Sequence, residues 1–245
     1  MHVLLTASIL SAAPPGRSPF SSKVLRQPVP GAPRGVSPDG WKTGKLCSVS
    51  AANGTNATAA LQGAIDECGD LPGGGTVLVT GGVTLLTASL WLRSNLTFRV
   101  EAGSTLLGTA TGSGSKNDDA SIADAPIVYA RRNAIMTMAH AGILNAGRCV
   151  KLKDPLVGWD DCAEWTHLEN VVIEGGGKLD ANGDDWYMKW GKKNDNNMRP
   201  MMLDLMWVDG LTIRDMQIRR PGYWTVHPTF SNNVRVFNNR CLFFF

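Results

Sequence analysis

The segments DGLTIRD (Asp209–Asp215) and NNVRVFN (Asn232–Asn238) decide the fold that the sequence predicts. Each begins with two small polar residues and continues with apolar and polar residues in alternation. Alternation with a period of 2 predicts a strand with one buried face. The same frame recurs upstream at Ser94–Val100 (SNLTFRV) and at Glu169–Gly175 (ENVVIEG). Four copies of one strand motif indicate an internal repeat.

The spacing of these copies indicates the architecture. The two downstream copies lie 23 residues apart, and solenoid repeats span about 20–45 residues. The larger gaps upstream predict turns of the solenoid that carry inserted loops. Short strands without interleaved helices argue against a doubly wound α/β fold. We therefore predict an all-β chain that forms a right-handed parallel β-helix over residues 41–245.

A single helix is predicted over Thr58–Cys68. Its apolar residues recur at i, i+3, i+4 and i+7 on one face, and they are Leu61, Ala64, Ile65 and Cys68. Asn56 or Thr55 can cap its first turn. An apolar helix face before a series of strands is typical of a cap on the open end of a solenoid.

The composition is that of a folded soluble protein. The hydrophobic fraction is 43% and the charged fraction is 18%. The formal net charge of +3 is too small to indicate a nucleic-acid partner. No apolar run reaches the length of a membrane span, so we expect neither a nucleic acid nor a membrane as a partner.

The first forty residues precede the predicted domain. Residues 1–13 resemble a short signal peptide, although they lack a Lys or Arg near the start. Residues 14–40 are rich in Pro, Ser, Gly and Arg, which predicts a disordered lead-in. Three Asn-x-Thr sequons, at Asn53, Asn56 and Asn95, are candidate glycosylation sites. Together these features favour secretion to the extracellular space.

The five cysteines allow two readings. Cys47 with Cys68, and Cys149 with Cys162, could form disulfides, which leaves Cys241 unpaired. The alternative is a zinc site built from His140, Cys149, Cys162 and His167. That set lacks the close Cys-x-x-Cys or His-x-x-x-His spacing that zinc sites favour, so we predict disulfides and no metal.

Several segments resemble the polygalacturonase-like glycoside hydrolases of family 28. GTNATAALQGAI (Gly54–Ile65) is similar to the opening of that family, with Asn56 and Ala57 in place of two aspartates. The blocks LRSNLT with EAGSTL, and IEGGGKLD, look like its first coils. Arg199-Pro200 and PGYWTVHP (Pro221–Pro228) match the segment that leads to its catalytic coils. The likeness extends over Cys47–Arg240.

The resemblance implies inverting hydrolysis of α-1,4 linkages in a pectic polysaccharide, polygalacturonate, without a cofactor and by a monomer. The family's catalytic motifs are an Asn-Thr-Asp strand, an Asp-Asp pair, a Gly-His-Gly turn and an Arg-x-Lys strand. The Asn-Thr-Asp, Gly-His-Gly and Arg-x-Lys motifs do not occur in this sequence. The first is expected just after Asn239, where the chain reads RCLFFF (Arg240–Phe245) instead. We therefore expect a β-helix that is truncated at its C-terminal end, and a chain that is inactive by itself.

Candidate site residues follow from the resemblance and from the alternation. In YWTVH (Tyr223–His227), Trp224 and Val226 share one face of the strand and His227 the other. If the apolar face is inward, His227 points outward, and we predict that it contacts substrate. Tyr223 and Arg199 are further candidates for contact with sugar rings or uronate carboxylates.

The sequence leaves three questions open. The doublets Asp160-Asp161 and Asp184-Asp185 could be taken for a catalytic pair, but both fall in predicted loops, which favours solvated or turn-capping acids. A non-catalytic β-helix that binds polysaccharide or acts as a structural stalk is the main alternative function. A related enzyme acting on rhamnogalacturonan is another.

Overall fold

The computed structural model describes residues 44–109, 124–132, 135–152, 162–184, 186 and 199–242. The predicted signal peptide and the predicted lead-in lie outside these residues. The helix α1 spans Thr58–Cys68. The strands, in chain order, are β1 Lys45–Val49, β2 Gly75–Val79, β3 Thr84–Thr87, β4 Leu90–Trp91, β5 Leu96–Val100, β6 Thr105–Gly108, β7 Ile127–Arg132, β8 Ile135–His140, β9 Leu144–Ala146, β10 Cys149–Leu152, β11 Cys162–Trp165, β12 Leu168–Glu174, β13 Lys178–Asp180, β14 Leu203–Met206, β15 Val208–Arg214, β16 Gln217–Arg219, β17 Val226–Thr229, β18 Arg235–Phe237 and β19 Arg240–Leu242.

Three parallel sheets run along the described chain. Sheet A has the order β1-β2-β5-β12-β15-β18, sheet B the order β3-β6-β13-β16-β19, and sheet C the order β4-β9-β14-β17. All pairings within these three sheets are parallel. Successive strands along the chain pass from sheet to sheet, so that each turn stacks on the previous one. The predicted parallel β-helix is confirmed.

The repeat length explains the uneven spacing of the sequence motif. Thr212 of β15 pairs with Arg235 of β18 in a turn of 23 residues. The preceding turn, from Val172 to Thr212, takes 40 residues, and the one before, from Thr97 to Val172, takes 75. The longest turn contains two antiparallel hairpins, β7–β8 and β10–β11. The long gaps are therefore insertions, as predicted.

In each copy of the motif, the second small polar residue has a left-handed backbone conformation and marks a corner of the coil. Asn95, Asn170 and Asn233 have φ values of 55°, 56° and 51°, and Gly210 has a φ of 81°. Asparagine and glycine tolerate this conformation better than other residues do. Asn170 Nδ2 also donates to Asn95 Oδ1 at 2.9 Å, so the corner side chains of neighbouring turns are bonded. The motif thus encodes a corner as well as a strand.

The core is the interior of the coil. Inward residues of successive strands are fully buried, for example Phe98, Ile173, Leu211 and Ile213 at 0% exposure. Val236 pairs with Ile213 on the same face, yet it is 48% exposed. The reason is that β18 is the edge strand of sheet A and no described strand lies beyond it.

Helix α1 covers the first turn, and a glutamine joins it to sheet C. The buried residues of the helix are those predicted from its periodicity: Leu61, Ala64, Ile65 and Cys68. Gln62 Nε2 donates to the Trp91 carbonyl at 3.0 Å, and the Trp91 N–H donates to Gln62 Oε1 at 2.9 Å. The amide of Gln62 therefore forms the pair of backbone hydrogen bonds that a neighbouring strand would form with β4. With eleven residues, α1 is too short to cross a membrane, and no other described helix is long enough.

Both predicted cysteine pairs are joined by disulfides. Cys47 and Cys68 connect β1 to the end of α1, with an S–S distance of 2.09 Å. Cys149 and Cys162 close the hairpin β10–β11, with an S–S distance of 1.99 Å. Because Cys149 and Cys162 form the second disulfide, neither can serve as a thiolate ligand in the alternative zinc site.

Candidate functional site

The outer face of sheet C carries a row of four aligned side chains. Trp91 of β4 pairs with Asn145 of β9, Asn145 with Asp204 of β14, and Asp204 with His227 of β17. Their neighbours along each strand, such as Leu203 and Leu205, point into the core. Polar residues at outward positions of stacked turns meet at the spacing of neighbouring strands, about 4.7–4.9 Å. This row is the centre of the candidate site.

The hairpin β7–β8 contributes a buried cation to this row. Arg132 is fully buried, and its Nη1 donates to Asp204 Oδ2 at 2.9 Å. The same guanidinium also donates to the carbonyls of Arg131 and His140. These bonds offset part of the cost of burying the charge, and the Nε of Arg132 is buried without a hydrogen-bond partner in the described chain. These hydrogen bonds fix the hairpin against the outer face of sheet C.

Asp204 uses both of its carboxylate oxygens within the protein. Oδ2 accepts from Arg132, and Oδ1 lies 2.9 Å from His227 Nδ1. Its side chain is only 4% exposed. A carboxylate held in this way cannot approach a glycosidic oxygen or a water on the outside. Asp204 is therefore a structural centre of the site and not a catalytic acid or base.

His227 lies on the outer face, as the alternation predicted, but it is buried there. The residue is 8% exposed. Its Nδ1 faces Asp204, and its Nε2 is 3.1 Å from Thr229 Oγ1. The ring of Trp224 contacts it edge-on, with centroids 5.4 Å apart. Contact between His227 and substrate stays a prediction, and the structure gives it little open surface.

His140, at the end of β8, is a second buried imidazole behind the hairpin. Its Nδ1 lies 2.6 Å from the Ala125 carbonyl, so Nδ1 carries the proton in the neutral ring. Its ring packs against Trp186 at 4.8 Å. Burial lowers the pKa of His140 below 6.5, with a smaller lowering by the nearby charge of Arg132, and the hydrogen bond to Ala125 opposes the shift.

Exposed Trp224 and partly exposed Tyr223 form the outer part of the site. Their rings stack with centroids 5.7 Å apart. The guanidinium of Arg199 also contacts Tyr223, at 4.5 Å from the centroid of the ring. The Nη1 of Arg199 donates to the Gly222 carbonyl at 3.0 Å. Arg199 is 5% exposed, whereas Trp224 is 49% exposed. Arg199 therefore supports Tyr223 from within, and the tryptophan faces outward.

The exposure of Trp224 corrects one detail of the sequence argument. Alternation had placed Trp224 on the inner face with Val226. Strand β17 begins only at Val226, so Trp224 lies in the preceding turn, where the period of 2 does not apply. Asp204 and Arg132 had not been selected as a pair, since they are 72 positions apart. In the sequence, Asp204 could have been recognised as a candidate because it is a charged residue between apolar residues in the segment LDLM (Leu203–Met206).

The remaining predicted residues lie elsewhere. Asp184 pairs with Arg220 at 3.2 Å and is largely exposed, while Asp160, Asp161 and Asp185 fall outside the described residues. In the sequons, Asn53 Oδ1 accepts from the Thr84 N–H, and Asn56 Oδ1 accepts from the Thr58 N–H in the first turn of α1. Asn95 is a corner residue whose Oδ1 is bonded to Asn170. Their glycosylation stays a prediction.

Sequence comparison connects this arrangement with known proteins. No family model matches the chain. The exo-poly-α-D-galacturonosidase of Dickeya chrysanthemi is 33% identical over 126 residues, which is 51% of this chain and 17% of that protein. A galacturan 1,4-α-galacturonidase A of Aspergillus flavus is 26% identical over 129 residues, 46% of this chain and 29% of that protein. In these segments, the chain is similar to polygalacturonases and exo-galacturonosidases.

Solved structures of polygalacturonases share the fold of this chain. A family 28 exopolygalacturonase of Yersinia enterocolitica matches with a TM-score of 0.63 at 18% identity, over 82% of this chain and 39% of that one. The polygalacturonase of Erwinia carotovora matches with a TM-score of 0.57 at 17% identity, over 86% of this chain and 51% of that one. The chain spans less than a third of the length of the two curated relatives that it matches.

Proposed function

We propose that this chain is part of an enzyme that hydrolyses galacturonan, and that the outer face of sheet C forms part of its substrate groove. The observation that carries the proposal is the 33% identity to an exo-poly-α-D-galacturonosidase over half of the chain. The parallel β-helix supports it, because stacked turns present aligned side chains along one face, on which a linear polymer can lie.

The chemistry itself requires residues beyond those described on this face. Inverting hydrolysis of a glycoside needs a carboxylic acid and a carboxylate about 6.5–9.5 Å apart. Asp204 is engaged by Arg132 and His227, and it is the only carboxylate in the described row. The sequence also lacks the Asn-Thr-Asp, Gly-His-Gly and Arg-x-Lys motifs of the family. In this proposal the chain supplies binding surface, and general acid–base catalysis, worth about 10²–10⁴-fold, comes from other turns.

Tyr223 and Trp224 are the proposed contact surface. A stacked aromatic pair with one exposed and one partly exposed ring offers an apolar area for the C–H face of a sugar ring, and it loses little conformational entropy on binding. Arg199 holds Tyr223 in position, and His227 holds Trp224 from beneath. In this proposal, His227 does not contact the sugar directly as predicted from the sequence. It orients Trp224, which contacts the sugar.

Affinity electrophoresis in gels that contain polygalacturonate tests this proposal. The 245-residue chain should be retarded, and Trp224→Ala and Tyr223→Ala should each reduce the retardation. Phe237→Ala is the matched control, since Phe237 is 46% exposed but lies on sheet A. Equal mobility of the chain in gels with and without the polymer would refute the proposal. Release of reducing sugar by the chain alone would refute the assignment of catalysis to other turns.

We also propose that the chain is secreted. Two disulfides in a chain of 245 residues favour an oxidising compartment, and residues 1–13 resemble a signal peptide. A polymeric substrate outside the cell fits that location. Mass spectrometry of the protein from the culture medium of its native source checks this, since the chain should be found there with both disulfides formed.

A further inference from the structure

Two aromatic residues occupy strained corners between sheet C and sheet A. Trp207, between β14 and β15, has a φ of 57°, and Phe230, between β17 and β18, has a φ of 54°. Most other non-glycine residues with such φ values in the described chain are Asn or Asp. The left-handed conformation costs about 1–2 kcal/mol for a residue with a Cβ. Strain that recurs in successive turns points to a function that needs the rings.

The two rings are part of a longer row of contacts. Trp207 and Phe230 stack at 4.6 Å with an interplanar angle of 22°. His167 contacts Trp207 with centroids 4.8 Å apart, and the guanidinium of Arg131 lies 5.1 Å from the Phe230 ring. His167 is exposed, and the other three are partly exposed. The corner thus presents aromatic edges together with a positive charge.

A groove continues this row toward the first turn. It has a volume of about 850 Å³ and is lined by Trp91, Arg148 and His167 among others. The guanidinium of Arg148 lies 5.6 Å from the ring of Trp91. The two acids of the groove are engaged within the protein: Asp66 pairs with Arg93, and Asp70 Oδ1 accepts from the Ser94 N–H.

Arg131 and Arg148 differ from the structural arginines of the described chain. Arg93, Arg99, Arg132, Arg214 and Arg220 each pair with a carboxylate. The guanidinium groups of Arg131 and Arg148 contact aromatic rings, and no described carboxylate lies within ion-pair distance of them. An arginine held on a ring is pre-organised and keeps its N–H fork available for a carboxylate.

We propose that this surface binds a linear acidic polysaccharide along the coil axis. The surface, here called the cationic corner, consists of Trp91, Arg148, His167, Trp207, Phe230 and Arg131. It spans the four turns of sheet C, a length of about 14 Å at the spacing of adjacent strands. Uronate carboxylates bind Arg148 and Arg131, and the C–H faces of the sugars pack on the aromatic edges. The inference rests on the proposed function and adds a second contact surface beside Tyr223 and Trp224.

Isothermal titration of the 245-residue chain with trimeric galacturonic acid at low salt tests the cationic corner. Arg131→Gln and Arg148→Gln should each weaken binding about tenfold, because each removes a charge-assisted hydrogen bond. Arg235→Gln, a control with the same change of charge on the exposed strand β18, should bind within about twofold of the unchanged chain. The fully methyl-esterified trimer should bind weakly and should not respond to Arg131→Gln.

Variants of the strained corners separate binding from folding. Trp207→Asn and Phe230→Asn introduce the residue that this chain uses at other left-handed corners, so their melting temperatures should be equal to or above that of the unchanged chain. Their affinity for the trimer should nevertheless fall. If the unchanged chain binds and all four variants bind as Arg235→Gln does, the cationic corner is refuted while the proposed function stands. If the unchanged chain does not bind at all, both are refuted.

Discussion

Gln62 shows how one side chain can end a parallel sheet. The first strand of sheet C, β4, has no described strand on one side, and the amide of Gln62 supplies both a donor and an acceptor to Trp91 there. Backbone groups that lose their partners in a partly buried place destabilise a fold more than the hydrogen bond alone would suggest. Helix α1 is therefore bound to the solenoid by its polar edge as well as by its apolar face.

Replacing Gln62 should destabilise the protein. Gln62→Met keeps the length of the side chain but leaves two backbone groups of Trp91 without partners, and we expect a loss of about 2 kcal/mol in the free energy of unfolding. Gln217→Met, on the partly exposed strand β16, is the control and should change that free energy by less than about 0.5 kcal/mol. Urea denaturation measures both. Equal stability of the two variants would show that the amide of Gln62 is dispensable.

His140 should make the stability of the protein depend on pH. Burial lowers its pKa in the folded state below the value of 6.5, so near neutral pH the unfolded chain binds more protons at this residue than the folded one does. Its contribution to stability is therefore full above pH 6.5 and is lost as the pH falls below it. His140→Gln should flatten the loss of unfolding free energy between pH 7.5 and pH 5.5, measured by urea denaturation. An unchanged slope in the variant would contradict this assignment.

The hairpin β7–β8 shows how an inserted element becomes part of the site. Its main fixed point on sheet C is the pair Arg132–Asp204, which is closed to solvent on both sides. Breaking such a pair by removing one partner leaves a buried charge without compensation. The ion pair therefore stabilises the position of the hairpin mainly because separating Arg132 from Asp204 would cost free energy. It fixes where the hairpin lies on the solenoid.

Asp204→Asn should therefore be strongly destabilising. We expect a loss of about 3–5 kcal/mol in the free energy of unfolding, because Arg132 remains buried without a counter-charge. Asp184→Asn is the matched control: its pair with Arg220 is exposed, and we expect a loss below about 1 kcal/mol. Denaturant titrations compare the two variants. If Asp204→Asn were as mild as Asp184→Asn, the hairpin would not depend on this ion pair.

At the scale of the whole molecule, the sequence predicted the coil but not the surface of the site. The strands around Leu96, Val171 and Leu211 were predictable because alternation and corner residues are local signals. The contact of Arg132 with Asp204 depends on which turns stack, and an insertion of variable length separates the two residues. The hairpin β7–β8 was ambiguous in the sequence, since its strand β8, IMTMAH, has no clean period of 2.

The same reasoning explains why the predicted face of Trp224 is wrong. Trp224 lies in a turn that adjoins a strand, and a period of 2 that is extended through a turn assigns the wrong face. The strain at Trp207 and Phe230 is also a property of the backbone conformation, which composition does not reveal. Residues at corners between sheets are thus the part of a solenoid that sequence patterns describe least well, and they line the proposed binding surfaces.

Hydrogen exchange of the chain with and without an oligogalacturonate tests the central claim most directly. Bound oligosaccharide should slow exchange in peptides that contain Asp204–Trp207 and Tyr223–Phe230, on sheet C and its corner with sheet A. Peptides from sheet B, such as Thr105–Gly108 and Lys178–Asp180, should exchange at unchanged rates. Protection centred on sheet B, or binding without protection at either sheet C segment, would contradict the account.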